Sequence, residues 1–382
     1  MLGSMRGNFL VRGLRSFDWI LGLSLIPIFF FSLMTMNSFS SANHFFNLQL
    51  VWVIISLIAL FLFSLADYRF LRQSVTLVAL YGASLFLLLV VLAFGHIANG
   101  AKSWLSFGLI SFQPVDPMKV VLVLLLAKYF SRRHIEIANF RHIFVSGVYA
   151  VVPFLLIYAQ PDFGSAVVIF FLWLGLTMVS GISKKHLFAV FSIGILAVGV
   201  LWFSVFHEYQ KKRILNFIHP VSDVRGSGYN VYQSTIAVGS GGLLGKGVGF
   251  GTQSRLQFLP EHETDFIFAA FAEEWGFIGV MLLFLLYGII FWRILYHASR
   301  GASNFEVLYA CGIALYFMTH IIINVGMNMG VLPVTGLPLP FMSYGGSHVL
   351  TECIALGILI GMSKYGRATH ASNLNNEVLG LM

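Results

Sequence analysis

The sequence predicts an all-α integral membrane protein of about ten transmembrane helices, with both termini in the cytoplasm and a long extracytoplasmic loop between helices 7 and 8. Of the 382 residues, 58% are hydrophobic and only 10% are charged, and the mean hydropathy is +0.85. These values lie far from those of soluble proteins. Apolar stretches recur along the chain, and their length is close to the roughly 20 residues that a helix needs to cross a hydrocarbon core. Basic residues collect in every second loop between them.

The predicted spans form one polytopic membrane domain over residues 1–382. The fourth and fifth are short for a full crossing, so we expect them to tilt or to extend by a turn. The first follows three arginines and no small-residue cleavage site, so we expect it to stay in the mature protein. In chain order the spans lie near 17–36, 47–66, 74–95, 117–131, 143–159, 165–182, 187–206, 265–292, 307–328 and 345–363.

Basic residues set the predicted orientation. With the N-terminus inside, 15 of the 23 lysines and arginines fall on the cytoplasmic side, and the loop 207–264 lies outside. The net charge of +8 does not form a soluble basic patch with interleaved aromatic residues, so a nucleic-acid partner is not expected. The cytoplasmic 15 are Arg6, Arg12, Arg15, Arg69, Arg72, Lys128, Arg132, Arg133, Arg141, Lys184, Lys185, Arg293, Arg300, Lys364 and Arg367.

Four polar segments on the predicted outer side hold Pro, Gly, amide and carboxylate residues: 96–119, 160–165, 207–265 and 324–347. Because polar backbone at membrane depth needs protein or water around it, they predict an outer cavity, with four unrelated surface loops as the alternative. The stretch 333–347 has three prolines and three glycines, so it cannot be regular helix and should re-enter or line the cavity. The stretch 160–165 is typical of a tight turn.

The long loop is rich in glycine, which suits close backbone approach to a phosphate or sugar; flexibility without a ligand is the alternative. It is not a Walker A loop, because Ser240 and Gly247 stand where Gly and Ser or Thr are needed. The twelve histidines show no zinc-binding spacing, and Cys311 and Cys353 fall inside predicted helices, where they behave as small apolar residues. The glycines are at 239, 241, 242, 245, 247, 249 and 251.

Acidic residues near the outer boundary are the candidates for chemistry. Asp265 stands where the loop enters the eighth span; it suits a partly desolvated general base, while Thr264 or Asp265 could instead cap the helix. Glu273 and Glu274 lie roughly 12 Å deeper, at about 1.5 Å per residue. They are either structural partners for neighbouring polar groups or part of an ion path.

Asp116 and Lys119 are three residues apart and share one helical face. Asp116 before Pro117 is typical of an N-cap followed by proline at the first helical position. Lys119, an ammonium at the end of a membrane helix, needs a counter-ion, and Asp265 or a substrate phosphate is expected to supply it.

Several motifs occur in a characteristic order along nearly the whole chain. They are Phe17-Asp18-Trp19, Gly100-Ala101 with Trp104, Gln113-Pro114 with Lys119, QPDFGS from 160, YQ at 232, GSGG at 239, GKG at 245, LPE..TDFIFA from 259, EE.G at 273 and NVGMNMGVLPVTGLPLPFMSYGGS from 324. Together they resemble the SEDS family of shape, elongation, division and sporulation proteins, most closely its rod-shape, RodA-like branch. The PLPF run at 338 and the short termini favour this branch over the division, FtsW-like branch.

The resemblance implies a peptidoglycan glycosyltransferase that polymerises lipid II during cell elongation, at the outer face of the bacterial cytoplasmic membrane, with a class B penicillin-binding protein as the crosslinking partner. It implies that Asp265 is the catalytic acid. As general base, Asp265 would deprotonate the 4-hydroxyl of an acceptor sugar. Lys119, Lys246 and Arg255 would neutralise the leaving pyrophosphate, and a divalent cation, Mg²⁺ or Mn²⁺, could assist. The candidate substrate-binding residues are Lys119, Asp116, Trp104, Gln233, Lys246, Arg255, Glu261 and Ser343.

The sequence departs from the family pattern at several positions. The usual QPSE reads QPVD at 113–116, so its carboxylate is one methylene shorter. Ser103 replaces a basic residue, and His262 and Glu263 stand where a basic residue and a histidine are expected. His348 stands where a small residue is common. These departures leave the role of Asp116, the acid of the QPVD motif, open.

Two other classes of function are open. One is a lipid II flippase or other transporter, which would depend most on Glu273 and Glu274 and leave no polymer. The other is a non-catalytic scaffold for cell-wall enzymes, which would tolerate Asp265→Ala. An enzyme would fail at Asp265 and make polymer when active.

Overall fold

Helices account for nearly all of the regular structure, which confirms the all-α membrane class. The computed structural model describes residues 17–39, 42–98, 101–107, 110–132, 140–204, 211, 217, 227–256, 258–259 and 261–378. Its helices are α1 Trp19–Asn37, α2 Ala42–Leu65, α3 Ser74–Phe94, α4 Val115–Ser131, α5 Phe140–Tyr158, α6 Phe163–Val179, α7 Lys184–Ser204, α8 Ser227–Ser240, α9 Thr252–Arg255, α10 Ile267–Ser299, α11 Asn304–Asn328 and α12 Gly346–Val378, with a one-turn 3₁₀ helix at Arg69–Arg72 before α3.

Each of the ten predicted spans overlaps one of these helices. Within the described residues, seven helices are long and apolar enough to cross a membrane, and α6 is a shorter apolar helix. The count of ten crossings stays a prediction. The seven crossing segments are Trp19–Asn37, Phe45–Leu65, Ser74–Phe94, Phe140–Tyr158, Ile267–Ser299, Asn304–Asn328 and Gly346–Lys364.

Local capping explains where two helices begin. The Asp18 carboxylate accepts from the Leu21 amide at 3.2 Å at the start of α1. The Asp162 carboxylate accepts from the Ser165 amide at 3.0 Å at the start of α6. Aspartate at this position satisfies an amide that has no intrahelical partner. Asp162 follows a tight turn, so the turn predicted at 160–165 is confirmed.

The segments predicted to lie on the outer side contain structure that hydropathy did not predict. A three-stranded antiparallel sheet joins β1 His96–Ala98, β2 Ala101–Phe107 and β3 Ile110–Phe112 in that order. Helix α8 lies within the long predicted loop and packs against α10 and α11. Both features are too short to register as apolar stretches of membrane length, which is why the sequence read them as loop.

Helix α11 lies in the middle of the bundle, where it packs against α10, α4 and α6. Helix α12 packs along α2, and α10 packs along α1. The buried apolar side chains of these helices form one continuous core. Large apolar residues such as Phe86 and Phe188 point outward and are exposed, as expected for faces that lipid covers.

Candidate functional site

Asp265 lies in the turn that precedes α10, and it is half-buried. The N-cap of α10 is Phe266, which makes no side-chain capping bond, so the prediction that Thr264 or Asp265 is the cap is wrong. The amide of Ala269 instead donates to Oδ1 of Asn328 at 3.1 Å. The start of α10 is therefore bonded by a side chain of α11.

Two asparagines of α11 hold the main chain of Asp265. The side-chain amides of Asn324 and Asn328 each donate to the Asp265 carbonyl oxygen at 3.0 Å. Both asparagines are fully buried, and Asn328 is itself fixed by a bond to the Asn324 carbonyl at 2.9 Å. Buried amides with satisfied bonds are rigid, so they fix the position of Asp265. Sequence reasoning did not single them out, although two asparagines four apart in an apolar helix were a usable signal.

The segment 333–345, between α11 and α12, forms a wall beside Asp265. Gly336 lies against the acid: a Cβ added there would be 3.4 Å from Oδ2 of Asp265, and its φ of +75° is left-handed. Ser343 is buried, and its hydroxyl donates to the Thr264 carbonyl at 2.6 Å. Ser343 thus ties the wall to the turn that carries Asp265; its predicted contact with substrate stays a prediction.

The Tyr344 amide makes a second tie between the wall and the turn, because it donates to the Glu263 carbonyl at 2.8 Å. The wall is therefore attached to this turn at two adjacent residues, Ser343 and Tyr344.

The wall is irregular backbone in a buried position, as the prolines predicted. Its main-chain carbonyl and amide groups are paired with side chains from five helices, and such pairing is the condition for irregular backbone within a membrane protein. The pairs are Ser32 with Met342 at 2.6 Å, Tyr287 with Pro340 at 2.6 Å, His320 with Pro338 at 3.2 Å and Gln49 with Ser343 at 3.3 Å, and the Glu352 carboxylate accepts from the Phe341 amide at 2.9 Å.

Asp116 and Lys119 form a buried ion pair of 3.2 Å on one face of α4, so the predicted shared face is confirmed. The N-cap of α4 is Pro114, so the prediction that Asp116 caps this helix is wrong. Lys119 is 1% exposed, and its counter-ion is Asp116 rather than Asp265. A buried ammonium needs such a partner. Its Nζ also lies 3.5 Å from Nε2 of His320.

Two departures from the family pattern meet in this cluster. Nδ1 of His348 lies 3.3 Å from Oδ1 of Asp116, and its Nε2 lies 2.9 Å from Oε1 of Glu352. The larger side chain at 348 thus fills the space beside the shorter carboxylate at 116. The cluster reaches the wall through Glu352, whose carboxylate accepts from the Phe341 amide. The predicted contacts of Asp116 and Lys119 with substrate stay predictions.

The glycine-rich segment packs against α10 at a kink. Gly276 has a φ of +65°, and the helical ladder is interrupted there. A Cβ at Gly245 would lie 2.1 Å from the Glu274 carbonyl oxygen, so close approach to α10 requires glycine. Hydrogen bonds from segment 241–247 replace those that the kink removes. They are Lys246 N to Glu273 O at 2.9 Å, Gly247 N to Glu274 O at 3.0 Å, Phe277 N to Gly242 O at 2.9 Å and Ile278 N to Leu243 O at 3.1 Å.

The side chains of Glu273 and Glu274 continue this attachment. Oε1 of Glu273 accepts from Lys246 Nζ at 2.7 Å and from the Thr252 amide at 2.9 Å. Glu274 accepts from the Gly249 amide at 3.1 Å. These contacts support the structural reading of both acids and give the glycines a structural role against α10.

The other residues that the sequence predicts to bind substrate lie on separate elements of the fold. Trp104 lies on β2, opposite His96, and is partly exposed. Gln233 lies on α8 and is also partly exposed. Arg255 ends α9 with its side chain exposed, and Glu261 is exposed in the turn before α10, where its carboxylate accepts from Thr264 Oγ1 at 3.3 Å. Their contacts with substrate stay predictions.

The predicted polar segments are linked to one another, which argues against four unrelated loops. The Lys102 amide donates to the Gln160 carbonyl at 3.0 Å, and Gln113 Nε2 donates to Asp162 at 3.4 Å. The cavity itself stays a prediction. Among the described residues, no three His, Cys, Asp or Glu side chains converge to hold a metal ion. A Mg²⁺ or Mn²⁺ ion here would need ligands from substrate phosphates and water.

The bundle, the wall at membrane depth and the acid at a helix end define a multi-pass membrane protein with an acidic site at one end of its helices. The chain belongs to the FtsW/RodA/SpoVE family of cell cycle proteins, whose sequence profile matches residues 14–368. This confirms the predicted SEDS resemblance and places the chain in a bacterial family.

Known proteins of this family are similar over most of the chain. The peptidoglycan glycosyltransferase MrdB of Escherichia coli K12 is 38% identical over 299 residues, 78% of this chain and 79% of MrdB. A solved peptidoglycan synthase complex that coordinates polymerization and crosslinking contains a chain that is similar to this one, with a TM-score of 0.79 and 30% identity. The match covers 92% of this chain and 98% of that chain. The rod shape determining protein RodA of Thermus thermophilus matches with a TM-score of 0.69 and 29% identity. The match covers 91% of this chain and 97% of that RodA chain.

Proposed function

We propose that this protein is a peptidoglycan glycosyltransferase that polymerises lipid II into glycan strands during cell elongation. The observation that carries the proposal is the fixed position of Asp265 beside the wall, in a chain whose relative MrdB is a peptidoglycan glycosyltransferase. The elongation branch is favoured over the division branch because the named neighbours with solved structures include a rod shape determining protein.

Asp265 acts as the general base. Its carboxylate accepts the proton of the acceptor 4-hydroxyl as that oxygen attacks the anomeric carbon of the donor sugar. The bond from this carbon to the pyrophosphate breaks with inversion, and undecaprenyl pyrophosphate leaves with the electron pair. A positioned base of this kind contributes about 10²- to 10⁴-fold to the rate.

Arg255 is the best-placed of the proposed cations for the leaving pyrophosphate. Lys119 is paired with Asp116 and Lys246 is paired with Glu273, so both charges are already partly neutralised. Arg255 is exposed and makes no ion pair with the residues that the structure describes. Its guanidinium can bind phosphate oxygens in a bidentate manner.

The site faces the outer side of the bacterial cytoplasmic membrane, where lipid II and the growing strand lie. The distribution of basic residues supports this orientation, because it places the turn before α10 opposite the basic loops. A class B penicillin-binding protein is the partner, and the similarity to a synthase complex that couples polymerization with crosslinking supports it.

Contacts of Glu273 and Glu274 favour polymerase over flippase. A transporter that coupled ions through these acids would need them accessible to an ion. Instead they are buried and accept bonds from the glycine-rich segment. A scaffold has no need of an acid whose main chain is fixed by two buried asparagines.

The test is polymerisation of lipid II by the purified protein with its penicillin-binding partner. We expect Asp265→Asn to lower the rate at least about 100-fold, as loss of a general base does. Asp67→Asn is the matched control: it makes the same change at an exposed pair with Arg69, and such pairs contribute little to stability.

The variants must elute and unfold like the wild type in detergent. Equal polymer from wild type and Asp265→Asn contradicts the assignment of the base. Absence of polymer from a folded wild type with its partner favours a transporter or scaffold.

A further inference from the structure

A cleft opens at the end of the bundle remote from Asp265. It encloses about 270 Å³ between the end of α4, the 3₁₀ helix and the start of α11. Helix α11 has 25 residues, and Asn328 at its far end holds Asp265, so the two sites are roughly 37 Å apart at about 1.5 Å per residue. The cleft is lined by Arg72, Lys128, Ser131, Arg132, Ser303, Asn304 and Phe305.

Three of the lining side chains are basic. Arg72 is paired with Glu306 at 2.5 Å. Lys128 and Arg132 make no ion pair with any residue that the structure describes, and Lys128 Nζ lies 5.6 Å from the centre of the Phe305 ring. With Glu306 offsetting Arg72, about two positive charges remain without an ion-pair partner among the described residues. Like charges in one cleft repel, so an anion between them is stabilising.

The start of α11 adds neutral donors to the same cleft. Residues 303–306 read Ser-Asn-Phe-Glu, the sequence of a capping box. Yet Ser303 makes no side-chain capping bond, and its buried hydroxyl has no hydrogen-bond partner in the part of the chain that the structure describes. Glu306 bonds the Ala302 amide at 2.9 Å instead. The Ser303 hydroxyl and the first amides of a 25-residue helix are therefore available to an anion.

We propose that this cleft binds a phosphate group, carried by the headgroup of an anionic phospholipid or by a soluble phosphate compound. Tetrahedral phosphate oxygens accept from Lys128 and Arg132 and from the Ser303 hydroxyl at the helix end. Two features favour the headgroup. The basic residues belong to the loops predicted as cytoplasmic, and the cleft lies at the ends of membrane helices, where headgroup phosphates lie.

The test is a titration of the purified full-length protein in a neutral detergent, read by thermophoresis. The probes are short-chain phosphatidylglycerol, short-chain phosphatidylcholine and inorganic phosphate. The cleft variant is Lys128→Gln with Arg132→Gln, which leaves the pair between Arg72 and Glu306 intact. The matched control is Lys184→Gln with Lys185→Gln, which removes the same charge from exposed lysines outside the cleft.

We expect phosphatidylglycerol to bind the wild type and the control equally. It should bind the cleft variant at least about tenfold more weakly, because the loss of even one charge-assisted bond has an effect of this size. Ser303→Ala should weaken binding in the same direction, which keeps the test valid if the double variant is unstable. Preference for inorganic phosphate over phosphatidylglycerol, with the same dependence on the variants, supports a soluble ligand. Equal binding by the cleft variant, Ser303→Ala and control overturns the proposal, and so does equal affinity for phosphatidylcholine.

Discussion

Nζ of Lys246 lies 2.7 Å from Oε1 of Glu273, a buried carboxylate next to the kink in α10. The pair joins the glycine-rich segment to the helix that follows Asp265. This segment, which composition alone describes as flexible or as a phosphate cradle, is therefore part of the framework of the site.

Removal of this link should loosen the segment. Glu273→Gln should raise hydrogen exchange at 247–255, because a neutral amide loses the charge-assisted bonds that the carboxylate accepts from Lys246 and from the amides of Thr252 and Gln253. Exchange mass spectrometry measures the effect. Arg255→Gln, a loss of charge in the same segment, should leave exchange unchanged, and unchanged exchange in Glu273→Gln would contradict the structural role.

The two departures at 116 and 348 should be energetically coupled. Asp116→Glu adds a methylene beside His348 in a fully packed site, and overpacking costs about 1–3 kcal/mol. His348→Ser makes room for it, so the double variant should unfold at a higher temperature than Asp116→Glu. Thermal unfolding of the four proteins in detergent measures the coupling, expected at about 0.5–3 kcal/mol. Strictly additive losses would show that the two residues are independent.

Gly336 should be required for activity. Gly336→Ala places a methyl group against the Asp265 carboxylate and forces alanine into a left-handed conformation, which costs roughly 1–2 kcal/mol. We expect polymerisation to fall about tenfold or more while the protein stays folded. Gly288→Ala is the control, because nothing lies within 4 Å of its added Cβ inside α10. Full activity in Gly336→Ala would mean that the wall is not close to the reacting groups.

The asparagine pair should act by positioning Asp265. Asn324→Ala and Asn328→Ala each remove a 3.0 Å bond to its carbonyl oxygen, and we expect kcat to fall about tenfold for a loss of roughly 1.4 kcal/mol, with little change in KM. Asn37→Ala, an exposed asparagine at the end of α1, serves as control. A rise in KM at constant kcat would instead indicate a contact with substrate.

Local composition was enough to predict the long apolar helices, because the free energy of placing about 20 apolar residues in lipid depends little on distant parts of the chain. The non-helical nature of 333–345 was also predictable, since its prolines cannot continue a helix. The family and the candidate role of Asp265 followed from motifs in order. These are properties of contiguous residues.

The tertiary structure alone decided the partners of the polar residues. Asp116 pairs with His348, 232 positions away, and the cap of α10 comes from Asn328, 59 positions beyond Ala269. Sequence patterns favoured local capping for Asp116 and Asp265 because a cap is the bond that a nearby amide can offer. In the folded bundle a buried carboxylate or amide is stabilised by whichever donor packing brings within reach, and packing joins residues that the sequence keeps far apart.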